Sequence, residues 1–432
     1  MIASTILLAA ALYFSGCYNP NGPDTGGGDD GFPGGIPIER VSMGIGGMEG
    51  NSISLDTAIS GDGRYVAFSS ASSNLVAGDT NDRYDIFVFD RQDELMDRVS
   101  VSSDGTEADR DSRYPSISAD GRYVAFASFA TNLVADDTNN RQDAFVFDRQ
   151  TRTVERVCLE AGAELQISAD GAYVAVYSEA SFLVPDDTND TGDVFLCEWQ
   201  AGSIERVSIS ETGVEANNYS GSPAVSADGR YVAFASNASN LIPGDTNGKV
   251  DIFVRDCQTG IVERVSVGDG GIQSNNSSNW PAISADGRYI AFCSDATNLA
   301  ADDTNDYQDV FVYDRQTDSI DRVSIGSGGT EANFHSYYPA ISATGQFIAF
   351  YSPASNLVPE DTNSVGDIFV YNNQSDTMHL VSVASDGTQG DDQSNETAIS
   401  GDGRYVAFFS FATNLVTGDT NNNGDIFTAP VE

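Results

Sequence analysis

Ile117-Ser118-Ala119-Asp120-Gly121-Arg122-Tyr123-Val124-Ala125-Phe126 is the stretch on which the fold turns. An Asp-Gly pair between two runs of bulky and small residues reads as a tight hairpin turn joining two strands. The phrase recurs, with its acidic position at Asp62, Asp120, Asp170, Asp228, Asp286, Thr344 and Asp402. Successive positions are 58, 50, 58, 58, 58 and 58 residues apart (120 − 62 = 58; 170 − 120 = 50). A period of this length, repeated seven times, is the mark of a repeat architecture.

Working outward from residues 117–126, the second repeat can be folded on paper. Residues 114–118 form an inner strand A and residues 123–128 strand B. A long loop through Asp137-Thr138-Asn139 leads to strand C at 143–148. A short Arg149-Gln150-Thr151 turn precedes strand D at 154–159. Four antiparallel strands with apolar residues on both faces suit a propeller blade held between two neighbours. The seventh repeat reads only to its strand C at 425–428, whereas an Ile38-Glu39-Arg40-Val41-Ser42 phrase of strand D type stands near the other terminus. The expected fold is therefore all-β, a seven-bladed propeller of four-stranded antiparallel blades. The N-terminal strand completes the last blade, and the closed ring leaves no exposed edges. The propeller is expected over residues 36–432.

The blade phrases resemble the WD-like repeats of TolB-type propellers. The residues that carry the likeness are Ser-x-Asp-Gly-Arg-Tyr-Val-Ala-Phe, the Asp-Ile-Phe-Val of strand C and the Arg-Val-Ser of strand D. The resemblance implies a propeller and an envelope setting. TolB-type proteins place a further domain before six blades. Seven blades are counted here and no such domain is read, so their particular role is not carried over.

Residues 1–17 read as an export signal, in which an apolar run ends at Phe14-Ser15-Gly16-Cys17. This ending resembles the lipobox of bacterial lipoproteins and implies acylation of Cys17; an ordinary cleaved signal is the alternative. No Lys or Arg precedes the apolar run, a departure from the usual basic start. Residues 18–35 form a tether rich in Gly and Pro. The expected location is the cell envelope, with membrane contact only through the lipid. Cys158, Cys197, Cys257 and Cys293 fall in four different blades and are expected to be free.

The chain carries 64 Asp and Glu against 21 Lys and Arg, a formal net charge of −43, which repels phosphate backbones and excludes nucleic acid as a partner. A monomer is expected. Two sets of residues fall on the long-loop face. The B–C loops carry an Asp-x-Asn-x-x-x-Asp pattern seven times, with Asp187, Asn189, Asp193 and Asp303, Asn305, Asp309 in the best settings for calcium. Two readings stand for it: Asx turns approaching strand C, or calcium in some blades. The D–A loops carry Tyr114, Tyr219, Trp280, Phe334, His335, Tyr337 and Tyr338. Several precede a proline, which predicts an extended backbone presenting the rings at the channel mouth; packing between blades is the alternative. The loop before the third blade lacks eight residues (58 − 50 = 8), which predicts a notch in the rim.

Only two histidines are present, His335 and His379, and no Gly-x-Ser-x-Gly elbow occurs. No acid breaks the repeat as a dedicated catalytic residue should. These features lead to the expectation of a binding or scaffolding module for an envelope protein or a glycan, with no catalytic residues and no cofactor except possible calcium. A polysaccharide lyase or glycosidase is the alternative.

Overall fold

The computed structural model describes residues 37–431. Residues 1–17, read as the export signal with Cys17, and the whole tether at 18–35 lie outside them. Residues 36–432 form one compact unit of seven four-stranded antiparallel sheets, with two small hairpins in the loops. In the second blade the strands are Ser112–Ile117, Tyr123–Ser128, Asp143–Asp148 and Thr153–Cys158, in spatial order. Strand A starts two residues earlier than the sequence pattern suggests.

The seventh blade is built from both ends of the described chain. Glu39–Arg40 pairs antiparallel with Asp425–Pro430, setting Glu39 against Thr428 and Arg40 against Phe427. Val41 N–H donates to the Ile426 carbonyl at 2.8 Å, and Ser42 Oγ donates to Asp425 at 2.5 Å. The closure read from the two termini is present.

Apolar residues pack in seven clusters, one between each pair of neighbouring blades, and the last joins Val41, Phe409 and Ile426 to Val66, Phe68 and Phe87 of the first blade. Six blades hold a Phe pair across strands B and C, such as Phe126–Phe145 at 5.9 Å. In the third, Val176 takes one Phe position, opposite Phe195. Each A–B turn also packs on its neighbour. A Cβ on Gly121 (φ +69°) would collide with the Tyr65 ring of the preceding blade, so only glycine suits both the turn and the contact.

Inside the ring, these turns are linked by backbone hydrogen bonds. Gly61 N–H donates to Ala119 O, Ala119 to Ala169, Asp170 to Ala227, Ala227 to Ala285, Ala285 to Ala343, Ala343 to Gly401, and Asp402 back to Gly61, at 2.9–3.1 Å. Seven bonds close one circuit. Above it the inner strands enclose a central channel of about 720 Å³, walled by Pro115, Pro223, Pro281, Pro339 and the small residues around them.

All four blade cysteines are free. Cys158 and Cys197, read as separated because they belong to different blades, meet in the cluster between blades two and three. Adjacent blades share a core, so position in different blades does not keep two side chains apart.

Candidate ligand site at the channel mouth

Every inner strand shifts register part-way along, as between Arg113 and Ser116 in the second blade. In six blades the residue at the shift is left-handed: Asp56 (φ +54°), Tyr114 (+57°), Ser222 (+50°), Trp280 (+51°), Tyr338 (+52°) and Glu396 (+52°). This corrects the expectation that the residues before proline are extended. The bulge belongs to the repeat and not to proline, since Asp56 and Glu396 precede threonine. A bulge re-aims one side chain out of the alternation of the strand. Each of these residues immediately precedes one that lines the channel, so together they form a ring at its mouth. Glu164 takes the position in the third blade.

The ring has an acidic arc and an aromatic arc. In the acidic arc, Asp56 N–H donates to Glu396 Oε2 at 2.8 Å, Arg113 pairs with Asp56 at 2.9 Å, and Ser69 Oγ donates to Asp56 at 2.6 Å. Burial, then the Asp56 charge, pushes the Glu396 carboxyl above the usual carboxylate range. Glu164 accepts from Ser222 N–H at 2.5 Å.

The aromatic arc lies where blades five and six meet. Trp280 and Tyr338 are 4.8 Å apart by ring centroid and are 37% and 44% exposed, the most exposed rings of the inner strands. Behind them Tyr337 packs on Tyr351 at 6.1 Å and on His335 at 5.7 Å; His335 and Phe334 in turn enclose Tyr307 at 5.0 and 5.5 Å. His335 Nδ1 accepts the Gln308 N–H at 2.8 Å, which puts the ring proton of the neutral imidazole on Nε2.

Five of the seven rings predicted from sequence therefore form one contiguous cluster. The other two stand apart. Tyr114 lies under Arg113 in the second blade, 5.1 Å from its guanidinium, and Tyr219 packs on Tyr177 at 5.5 Å, its hydroxyl pushed up to about 12 by burial and Glu164. Tyr307 and Tyr351 were missed because they sit in a B–C loop and on strand B, away from the aromatic D–A loops.

The Asp-x-Asn-x-x-x-Asp loops resolve into a repeated ion-paired turn. In the third blade Asn189 Oδ1 accepts Thr191 N–H at 3.0 Å and its Nδ2 donates to Asp193 at 2.9 Å. Arg206 Nη1, from strand D, lies 3.5 Å from both Asp187 and Asp193 and 2.9 Å from Glu215. In the fifth blade Asn305 accepts Tyr307 N–H, and Arg322 stands 3.2 Å from Asp303, 3.4 Å from Asp309 and 3.0 Å from Glu331. The positive charge among the candidate calcium ligands of these two blades is a guanidinium.

The short loop before the third blade runs directly from strand D into Ala161–Ile167. Beside it Phe182, in place of the Asn of the other six blades, is 57% exposed. His379 lies on Thr377–Leu380, paired with Val370 and away from the mouth.

No protein-family model matches this sequence, nor does any curated protein. Solved structures do match. An oligogalacturonate lyase from Vibrio parahaemolyticus is 12% identical, over 91% of this chain and 93% of that one, with a TM-score of 0.54. The β-propeller domain of the Trilobed protease from Pyrococcus furiosus is 12% identical over 88% and 94%, with a TM-score of 0.55. A putative TolB from Agrobacterium tumefaciens is 15% identical over 81% and 98%, with a TM-score of 0.44. At these identities the likeness is one of fold: the chain is a β-propeller, the fold that the oligogalacturonate lyase and the Trilobed protease domain share.

Proposed function

We propose that this propeller is an exported binding module of the cell envelope that holds a neutral glycan at its channel mouth. The observation that carries the reading is the exposed Trp280–Tyr338 pair, fixed by two left-handed bulges at the rim of a 720 Å³ channel. Flat, rigid aromatic faces stack against the apolar faces of sugar rings, and they lose little side-chain entropy in doing so. Asn279, on the inner strand of Trp280, and Asn395 and Glu396, on the inner strand of the seventh blade, supply hydrogen-bonding groups for hydroxyls. A net charge of −43 disfavours polyanionic chains. The envelope location, with Cys17 as the acylated anchor, belongs to the same proposal and rests on the lipobox-like segment alone.

The test is a screen of immobilised envelope glycans and envelope proteins with the full chain and with Trp280→Ala and Tyr338→Ala. A glycan retained by the full chain, and at least ~10-fold more weakly by each variant (about 1.4 kcal/mol), supports the reading. Retention of a protein ligand alone, or equal retention by the variants, overturns it.

One observation favours the enzyme reading: Glu396, its carboxyl pushed up by burial, accepts the backbone N–H of Asp56, and a raised carboxyl beside a second one is a feature of glycoside hydrolysis. Asp56, however, is already engaged by Arg113 and Ser69. Polysaccharide turnover lost in Glu396→Gln, with binding retained, would establish catalysis.

A further inference from the structure

Six blades place an arginine of strand D between two aspartates of the B–C loop. Arg40, Arg98, Arg156, Arg206, Arg264 and Arg322 each lie 3.0–3.5 Å from both. The sixth blade keeps the aspartates, Asp361 and Asp367, but has Leu380 at the arginine position. Strand pairing fixes the equivalence, since Leu380 stands opposite Phe369 as Arg322 stands opposite Phe311.

Leu380 ends at Cδ, three bonds short of where an arginine would place its Nη atoms, and its carbon side chain carries no charge. Asp361 is 7% exposed and Asp367 0%. Asp361 Oδ1 and Asp367 Oδ2, on the sides that face arginine in the other blades, have no hydrogen-bond partner, whereas Asp367 Oδ1 accepts Ser382 Oγ at 2.6 Å. Among the described residues no Arg, Lys or His pairs with either carboxylate. The third carboxylate of blades such as the fifth, Glu331, is here Gln389. Two buried negative charges thus face each other's loop with no positive charge from the chain, an arrangement that is costly unless a cation completes it.

We propose that a divalent cation of the calcium class takes the place of the missing guanidinium in the sixth blade, bound by Asp361 and Asp367. Both ligands are hard oxygens, and their summed charge matches a divalent ion. In the fifth blade the arginine also reaches a loop carbonyl, Asp302 O, at 3.2 Å; the corresponding carbonyl here, Glu360 O, accepts Gln389 Nε2 at 2.5 Å and keeps its second lone pair for the ion. Glu360 and Thr362 on either side are exposed, so the ion enters from solvent. Calcium fits this irregular loop better than magnesium, which demands near-ideal octahedral geometry and gives up water reluctantly. Asp367 begins the strand that pairs with Tyr351, a ring of the aromatic arc, yet the cation site stands independently of any ligand at the mouth.

The test is calorimetric titration of the chelator-treated full chain with CaCl2 at fixed ionic strength, with MgCl2 as the comparison. The expected result is one saturable calcium site, with Kd no weaker than about 10⁻³ M. Leu380→Arg abolishes it by supplying the guanidinium. Asp361→Asn, isosteric and chosen in case the arginine variant fails to fold, weakens it at least tenfold. Diffuse binding to the acidic surface is common to all three proteins and is removed by subtraction. No saturable site in the unaltered chain, as expected if a shared proton alone neutralises the pair, overturns the proposal, as does calcium binding that survives both substitutions.

Discussion

Arg98 stands 2.6 Å from Glu107, 3.1 Å from Asp79 and 3.5 Å from Asp85, one guanidinium against three carboxylates, with Asp85 fully buried. Arg98→Leu gives the first blade what the sixth carries naturally and strips a buried cluster of its guanidinium. A loss of about 3–5 kcal/mol in urea unfolding is expected; a loss below about 1 kcal/mol would mean that the cluster is neutralised otherwise. Gly121→Ala forces a Cβ into left-handed backbone and into the Tyr65 ring, for an expected loss of about 2 kcal/mol or more. At this scale the sequence is half legible. Asp120-Gly121 announces its turn locally. The partner ring, Tyr65, belongs to another blade, and nothing local to the turn names it. The change from Arg to Leu380 was visible in the repeat phrase, but its meaning required knowing what the arginine does.

Residues 37–42 are the element on which closure depends. They add strand D to the last blade, bury Val41 completely and bring Arg40 to Asp419 and Asp425. Deleting them exposes the edge of Asp425–Pro430 and opens the contact between first and last blades. The expected outcome is a markedly lower Tm and concentration-dependent aggregation, followed by light scattering. An unchanged Tm would mean that the ring is held by other blades alone. This pairing was readable in advance because the missing phrase and its counterpart sit at opposite termini. The inner-strand bulges were not readable. They arise from register between strands A and B, which the residue before proline does not reveal, and they decide that Trp280 and Tyr338 face the channel mouth.

Across the whole molecule, acidity dominates stability. Asp85, Asp303 and Asp419 are pushed up to about 6, because burial outweighs one arginine shared among several carboxylates. A raised folded-state pKa gives stability that is fully present below about pH 4, the unfolded value, and is lost as pH rises through about 6. Glu49, Asp148 and Asp256, lowered to about 2 mainly by hydrogen bonds from Thr420, Arg122 and Arg230 respectively, work the other way and fail only as pH falls toward 2. Tm is therefore expected to rise on acidification from neutrality to about pH 5, and then to fall. A steady decline from pH 7 downward would contradict this. Added NaCl, by screening the net charge of −43, should raise Tm at pH 7 more than at pH 5. The central claim, that the channel mouth is the ligand site, is tested most directly by fluorescence. The chain has two tryptophans, so Trp199→Phe leaves Trp280 as sole reporter at the rim. Titration with the glycan retained in the screen should shift and saturate the Trp280 emission, and Tyr338→Ala should weaken that response at least ~10-fold. Saturable glycan binding with an unchanged Trp280 spectrum would contradict the account.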